Sequence, residues 1–119
     1  MPNSKPLRVL IVEDEAVVAM LLEDMVEELG HELAGTAGAF DAALDLARAA
    51  EADFAIIDVN LNGERSYPIA EALRARGVPF AFATGYDPEG LASDWADAAI
   101  LAKPYQRDDL KRLLDQAAA

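Results

Sequence analysis

Residues 8–15 read RVLIVEDE. Four apolar residues, Val9 to Val12, run directly into Glu13, Asp14 and Glu15. With Leu7 they form a short, β-branched run broken only by Arg8, the pattern of a strand buried on both faces in a parallel sheet. Such a strand carries its last residues to one edge of the sheet. Like charges held that close disfavour each other's ionised form unless something positive lies between them. The stretch therefore predicts a buried parallel strand and a positive partner at its carboxyl end.

Outward from this run, strand and helix signals alternate. Val18, Leu21, Leu22, Met25, Val26 and Leu29 recur at helical spacing, and Gly30 follows as a stop. Glu32 to Ala37 reads as a second strand, and Phe40, Ala43, Leu44 and Ala47 as an amphipathic helix. Asp53 to Asp58 is the third strand. Ser66 is placed to cap a third helix through Arg76, with Pro68 in its first turn and Gly77 just past its end. Val78 to Ala83 makes a fourth strand, a short helix falls within Pro88 to Trp95, and Ala98 to Ala102 makes a fifth strand. Leu110, Leu113, Leu114 and Ala117 mark the last helix. Five βα units imply a parallel sheet with helices on both faces, wound right-handed. Sheets of this kind bind ligands beyond the carboxyl ends of their strands. There the five strands present Glu13 and Asp14, then Asp58, then Thr84 and Gly85, then Lys103 and Pro104.

Composition narrows what this edge can do. The chain has 119 residues, 53% of them hydrophobic, enough for one domain with a real core. Ten basic residues against 22 acidic ones leave a net charge of −12, which argues against direct nucleic-acid binding and for a divalent cation or a basic protein partner. There is no cysteine, hence no thiolate metal site. No apolar run approaches the roughly 18 residues of a membrane span, and MPNSKP does not open a signal peptide. A cytoplasmic location is the expectation. No repeat or linker stands out beyond the short tail MPNSK and the final AAA.

The candidate ligands are all oxygens, which favours a hard ion such as Mg²⁺ that keeps several waters and takes one or two carboxylates. Mg²⁺ held by so few protein groups suits phosphate oxygens. A carboxylate such as Asp58, ending a buried strand and preceding the loop VNLNGE, can act as a nucleophile and form an acyl phosphate. Thr84 can donate a hydroxyl and Gly85 an amide to phosphoryl oxygens, and Lys103 can pair with a third. The set suffices for accepting a phosphoryl group on Asp58.

Glu13-Asp14, Asp58, Thr84 and Lys103-Pro104, in this order and at these strand ends, resemble the receiver domain of two-component response regulators. The resemblance runs from about Leu7 to Leu114. It implies a flavodoxin-like, three-layer α/β/α sandwich whose five-stranded parallel sheet has the order 2-1-3-4-5, with residues 1–6 as a tail and 7–117 as the receiver. It implies Asp58 as phosphoacceptor, with Asp14, Asp58 and the Asn60 backbone carbonyl as Mg²⁺ ligands and Glu13 acting through a metal-bound water. Thr84 and Lys103 would hold the phosphoryl group, and the Lys103–Pro104 bond would be cis. PFAFATGYD, Pro79 to Asp87, looks like the subgroup of mostly single-domain receivers with a Phe-Ala-Thr-Gly motif (nicknamed FATGUY). Most receivers carry an aromatic switch residue three positions before the lysine; here that position is Ile100. Gly85 and Tyr86 follow Thr84 directly, so rearrangement of that loop is expected to replace ring rotation.

The function implied is a phosphorylation-dependent signalling module, not an enzyme beyond slow self-dephosphorylation. A histidine kinase or histidine phosphotransfer protein would donate to Asp58. A downstream protein would read the surface of the fourth helix, fifth strand and fifth helix, a face that also suits weak homodimers. With no output domain evident, signalling would run by protein contact, phosphate relay or phosphate removal; whether the chain is one domain of a longer protein stays open. The alternative is a Mg²⁺-dependent phosphohydrolase with an aspartyl-phosphate intermediate. Such enzymes commonly place an acid two residues after the nucleophile, where this chain has Asn60. A flavin carrier of similar fold would need a hydroxyl- and glycine-rich loop after strand one, and EDEAVV is neither. Tyr86 and Tyr105 read as packing or rim residues and His31 as a solvated turn residue. Trp95 fits core packing and a partner face equally.

Overall fold

The computed structural model describes residues 6–85, 93–95 and 98–118. Its elements are β1 (Arg8–Val12), α1 (Ala16–Glu28), β2 (Glu32–Ala37), α2 (Phe40–Ala49), β3 (Phe54–Asp58), a hairpin of β4 (Asn60–Leu61) and β5 (Glu64–Arg65), α3 (Tyr67–Ala75), β6 (Phe80–Thr84), β7 (Ala99–Ala102) and α4 (Arg107–Ala118). The main sheet runs β2-β1-β3-β6-β7, with every pairing parallel. Since β6 and β7 are the fourth and fifth strands of the main sheet, this is the expected order 2-1-3-4-5 of a flavodoxin-like α/β/α sandwich.

Side chains alternate across the sheet because a strand has period two. Leu10, Val12, Ala55, Ile57 and Phe82 face one layer, made by Ala43 and Ala47 of α2, Ile69, Ala70 and Leu73 of α3, and Trp95. Val9, Ile11, Phe54, Ile56, Ala81 and Ala83 face the other, made by Leu22 and Val26 of α1 and Leu110 and Leu114 of α4. Each wholly buried Leu or Ile stabilises this arrangement by about 2 kcal/mol. β3 is buried along its whole length, as the central strand of a sheet covered on both faces must be.

Register positions the chemistry. Val12 pairs with Ile57, Asp58 with Ala83, and Thr84 with Ala102, so the ends of β1, β3, β6 and β7 come level. Glu13, Asp58, Thr84 and Lys103 thus leave the sheet at one edge.

Several local expectations need correction. The segment after Asp58 is a tight hairpin, with Asn60 paired to Arg65 and Leu61 to Glu64. Two-residue strands are too short to show a period. Ser66 does occupy the N-cap of α3, and its carbonyl accepts from the Ile69 and Ala70 amides, but its hydroxyl makes no cap bond. Its backbone lies at φ −85°, ψ 13° rather than in the extended form that aims a cap side chain at the helix, and the hydroxyl is buried without a partner among the described residues. His31 is half-buried, not a solvated turn residue: its Nδ1 accepts the Leu7 amide at 2.9 Å and ties the start of the chain to β2. Trp95 proves to be core. It stacks on Tyr67 at 5.8 Å between centroids, meets Phe80 and Phe82, and carries the Arg74 guanidinium 4.0 Å from its ring centre. The short helix expected within Pro88 to Trp95 is seen only as a 3₁₀ turn, Ser93–Trp95; residues 88–92 and Tyr86 lie outside the described residues.

Candidate functional site

A cleft of about 300 Å³ opens at the carboxyl edge of the sheet, lined by Asp14, Glu15, Asp58, Val59, Asn60, Thr84, Gly85 and Lys103. Behind it lies Glu13. Glu13, Asp58 and Thr84 are 2%, 7% and 6% exposed, low values for polar groups at a strand end.

Lys103 bridges the acids. Its Nζ lies 2.9 Å from Asp58 Oδ2 and 3.2 Å from Glu13 Oε1. β7 delivers it there through the Lys103 amide, which donates to the Thr84 carbonyl at 3.0 Å and extends the β6–β7 ladder by one step. The Lys103–Pro104 peptide is cis. Asp58 Oδ1 accepts the Asn60 amide at 3.2 Å, and Glu13 Oε2 accepts the Glu15 amide at 3.2 Å. Thr84, the last residue of β6, and Gly85 line the same cleft as Asp58, whose strand pairs with β6. Ile100 is half-buried and packs with the layer that contains Trp95.

Two further residues join the site that sequence reasoning left out. The Tyr105 hydroxyl donates to Glu13 Oε1 at 3.1 Å, although position 105 reads as a packing or rim residue. The available signal was its place two residues after Lys103, which returns it to the same strand end. Asn62 sits at the hairpin tip with φ 53°. Its amide donates to Asp14 Oδ2 at 2.9 Å and its side-chain nitrogen to the Gly38 carbonyl at 3.0 Å. The Asn62-Gly63 pair is a turn signal, since both positions take positive φ. Gly38 matters for a different reason: a Cβ there would crowd the Glu13 carbonyl oxygen at 3.1 Å.

Electrostatics follow from burial. Burial pushes the Glu13 carboxyl above the usual carboxylate range. Burial would lower the Lys103 ammonium, but its hydrogen bond to Asp58 and the charges of Asp58 and Glu13 outweigh that and hold it above its ordinary value. Burial, then the charge of Glu13, drives the Tyr105 phenol far upward, so it stays protonated and donates.

Glu13, Asp14 and Asp58 each offer a carboxylate oxygen within 4.8 Å of the others. Three carboxylates against the one lysine that bridges two of them leave negative charge in excess. An all-oxygen donor set with uncompensated charge fits a hard divalent cation such as Mg²⁺.

The chain is thus a small α/β protein with a doubly covered parallel sheet and an acidic, lysine-bridged cleft at its carboxyl edge. The family model of the response regulator receiver domain matches residues 9–115, and the chain belongs to that family. It is similar to SdrG from Sphingomonas melonis Fr1, at 41% identity over 96% of this chain and 98% of that one, with a TM-score of 0.82. The BeF3-activated conformation of SdrG from Pseudomonas melonis Fr1 gives a TM-score of 0.80 at 41% identity, covering 94% of this chain and 96% of that one. The receiver domain of PhyR from Erythrobacter litoralis matches at 30% identity and a TM-score of 0.83, covering 98% of this chain and 92% of that one. Among curated proteins, the transcriptional regulatory protein PdtaR of Mycobacterium tuberculosis is 34% identical over 109 residues, 88% of this chain and 53% of PdtaR. The chain thus spans about half the length of that relative. Among the described residues no helix is long and apolar enough to cross a membrane.

Proposed function

We propose that Asp58 accepts a phosphoryl group from the phosphohistidine of a kinase or phosphotransfer protein, and that the chain signals by protein contact or by passing the phosphoryl group on. The carrying observation is the placement of Asp58, buried at the end of β3, with one oxygen 2.9 Å from the Lys103 ammonium and the carboxylates of Asp14 and Glu13 beside it. In the transfer an Asp58 oxygen forms a bond to phosphorus, the P–N bond of phosphohistidine breaks, and the imidazole leaves with its electron pair. Lys103 turns its ammonium to a phosphoryl oxygen, while Thr84 and the Gly85 amide donate to others. Asp14, Asp58, the Asn60 carbonyl and, through a water, Glu13 are the groups that would hold Mg²⁺, which when bound neutralises charge on the phosphoryl group.

The existence of a BeF3-activated conformation of SdrG supports this reading for a chain 41% identical to it. Asn60, two residues after Asp58, cannot act as a general acid and argues against steady phosphoester hydrolysis. We take residues 7–117 as the receiver unit, acting in the cytoplasm where its donor presents the phosphohistidine. Phosphotransfer profiling against purified, autophosphorylated histidine kinases tests the proposal, with Asp58→Asn as control. Transfer to the native protein alone supports it. Equal transfer to Asp58→Asn, or no transfer from any kinase together with no labelling by acetyl phosphate, overturns it.

A further inference from the structure

Glu13 is a nearly solvent-free carboxylate with three donors: Lys103 Nζ and the Tyr105 hydroxyl on Oε1, and the Glu15 amide on Oε2. The donors differ in how freely they can leave. Lys103 is a point charge on a flexible stem, its side chain is 24% exposed, and it already divides itself between Glu13 and Asp58. Tyr105 cannot move in the same way. Its ring is buried in the layer that contains Leu101, Leu110 and Leu114.

Resting on the phosphoacceptor reading, we infer that Tyr105 is a positioning residue whose hydroxyl keeps Glu13 satisfied and in place when Lys103 turns from the carboxylates to a phosphoryl group on Asp58. A buried carboxylate stripped of its donors is costly, and the cost grows as donors are lost. At rest, Glu13 without the Tyr105 hydroxyl would still have Lys103 on the same oxygen. With Lys103 committed elsewhere, that oxygen would have nothing from these residues. Loss of the hydroxyl therefore penalises the phosphorylated state more than the resting one.

Calorimetric titration with beryllofluoride at saturating Mg²⁺ tests this on four proteins: native, Tyr105→Phe, Glu13→Gln and the double variant. Phenylalanine fills the same space and removes one oxygen. Tyr105→Phe is expected to weaken beryllofluoride binding about tenfold. In the Glu13→Gln background, where the charge needing the donor is gone, the same change is expected to matter by under about twofold. Equal affinity of native and Tyr105→Phe proteins overturns the inference, as does an equal loss in both backgrounds, which would assign the effect to ring packing. A second measurement needs no variant. The Tyr105 hydroxyl proton should stay slowly exchanging by NMR with beryllofluoride bound, and its loss on binding overturns the inference. If the native protein binds no beryllofluoride, the phosphoacceptor reading falls and this inference with it; binding by the native protein separates the two.

Discussion

The two ends of the central sheet hold the same ingredients. At the amino end one arginine serves two acids: Arg8 reaches Glu51 at 2.9 Å and Asp53 at 3.3 Å. At the carboxyl end one lysine serves two acids, Glu13 and Asp58, at 3.2 and 2.9 Å. Distances barely distinguish them, but water does. The Arg8 and Glu51 side chains are 44% and 84% exposed, whereas those of Glu13 and Asp58 are 1% and 9% exposed. In the wet cluster Arg8 holds the Asp53 carboxyl below its ordinary value, first through its side-chain hydrogen bond. In the dry one, burial pushes Glu13 up despite its lysine. The amino-end cluster is a satisfied staple between β1 and the start of β3. The carboxyl-end cluster is held in tension, short of positive charge and open on one side to a cleft. An ion pair becomes a site where burial leaves its charge unbalanced.

The sharpest way to break this contrast is to neutralise one acid at each end. Asp58→Asn is expected to lose all labelling by acetyl phosphate with Mg²⁺, read by intact-protein mass spectrometry, while Asp53→Asn labels as the native protein does. Equal labelling of both variants would mean that the acceptor lies elsewhere.

Next in size is loss of the shared cation. Lys103→Ala leaves buried acids uncompensated and is expected to cost about 2 kcal/mol of stability in EDTA by urea unfolding. Arg8→Ala frees only solvated acids and should cost much less. Similar costs at the two ends would remove burial as the explanation.

Millimolar Mg²⁺ should raise the unfolding midpoint by about 5 °C, because binding to the folded state alone stabilises it. Asp14→Asn or Asp58→Asn should erase that shift and Asp53→Asn should keep it, as thermal scans with and without EDTA would reveal.

The smallest effect concerns pH. The folded Asp53 carboxyl is lowered, so its contribution is present above the unfolded value of about 3.9 and fades as pH falls through the depressed folded value. Asp53→Asn should flatten the acid-side slope of stability slightly, measured as urea midpoints between about pH 6 and about pH 3. Glu13 has the opposite sign: its raised value favours the folded, metal-free protein toward acid. Identical acid-side slopes for Asp53→Asn and the native protein would show that Arg8 does not hold Asp53 as the geometry states.

Much of the fold was legible because burial leaves a local imprint. Glu32 to Ala37 has the same limits in sequence and structure, and β3 announced itself as an unbroken apolar run before Asp58. Lys103 stood out as a charge embedded in apolar neighbours. The misses share a cause. The hairpin at Asn60–Arg65, the buried Ser66 hydroxyl, the His31 link to Leu7 and the Tyr105 bond to Glu13 each depend on a partner supplied by folding. Periodicity reports which face of an element is buried, but not what a polar atom meets there.

By itself, then, the sequence determined the alternation of strands and helices and where most strands end, the fourth running one residue past the expected Ala83 to Thr84, since both follow from local period and residue chemistry. Only tertiary structure decided that one lysine divides itself between two carboxylates and that a tyrosine 92 residues away completes the coordination of Glu13. Those facts depend on parallel register bringing distant strand ends level and on burial removing the water that would otherwise have screened them.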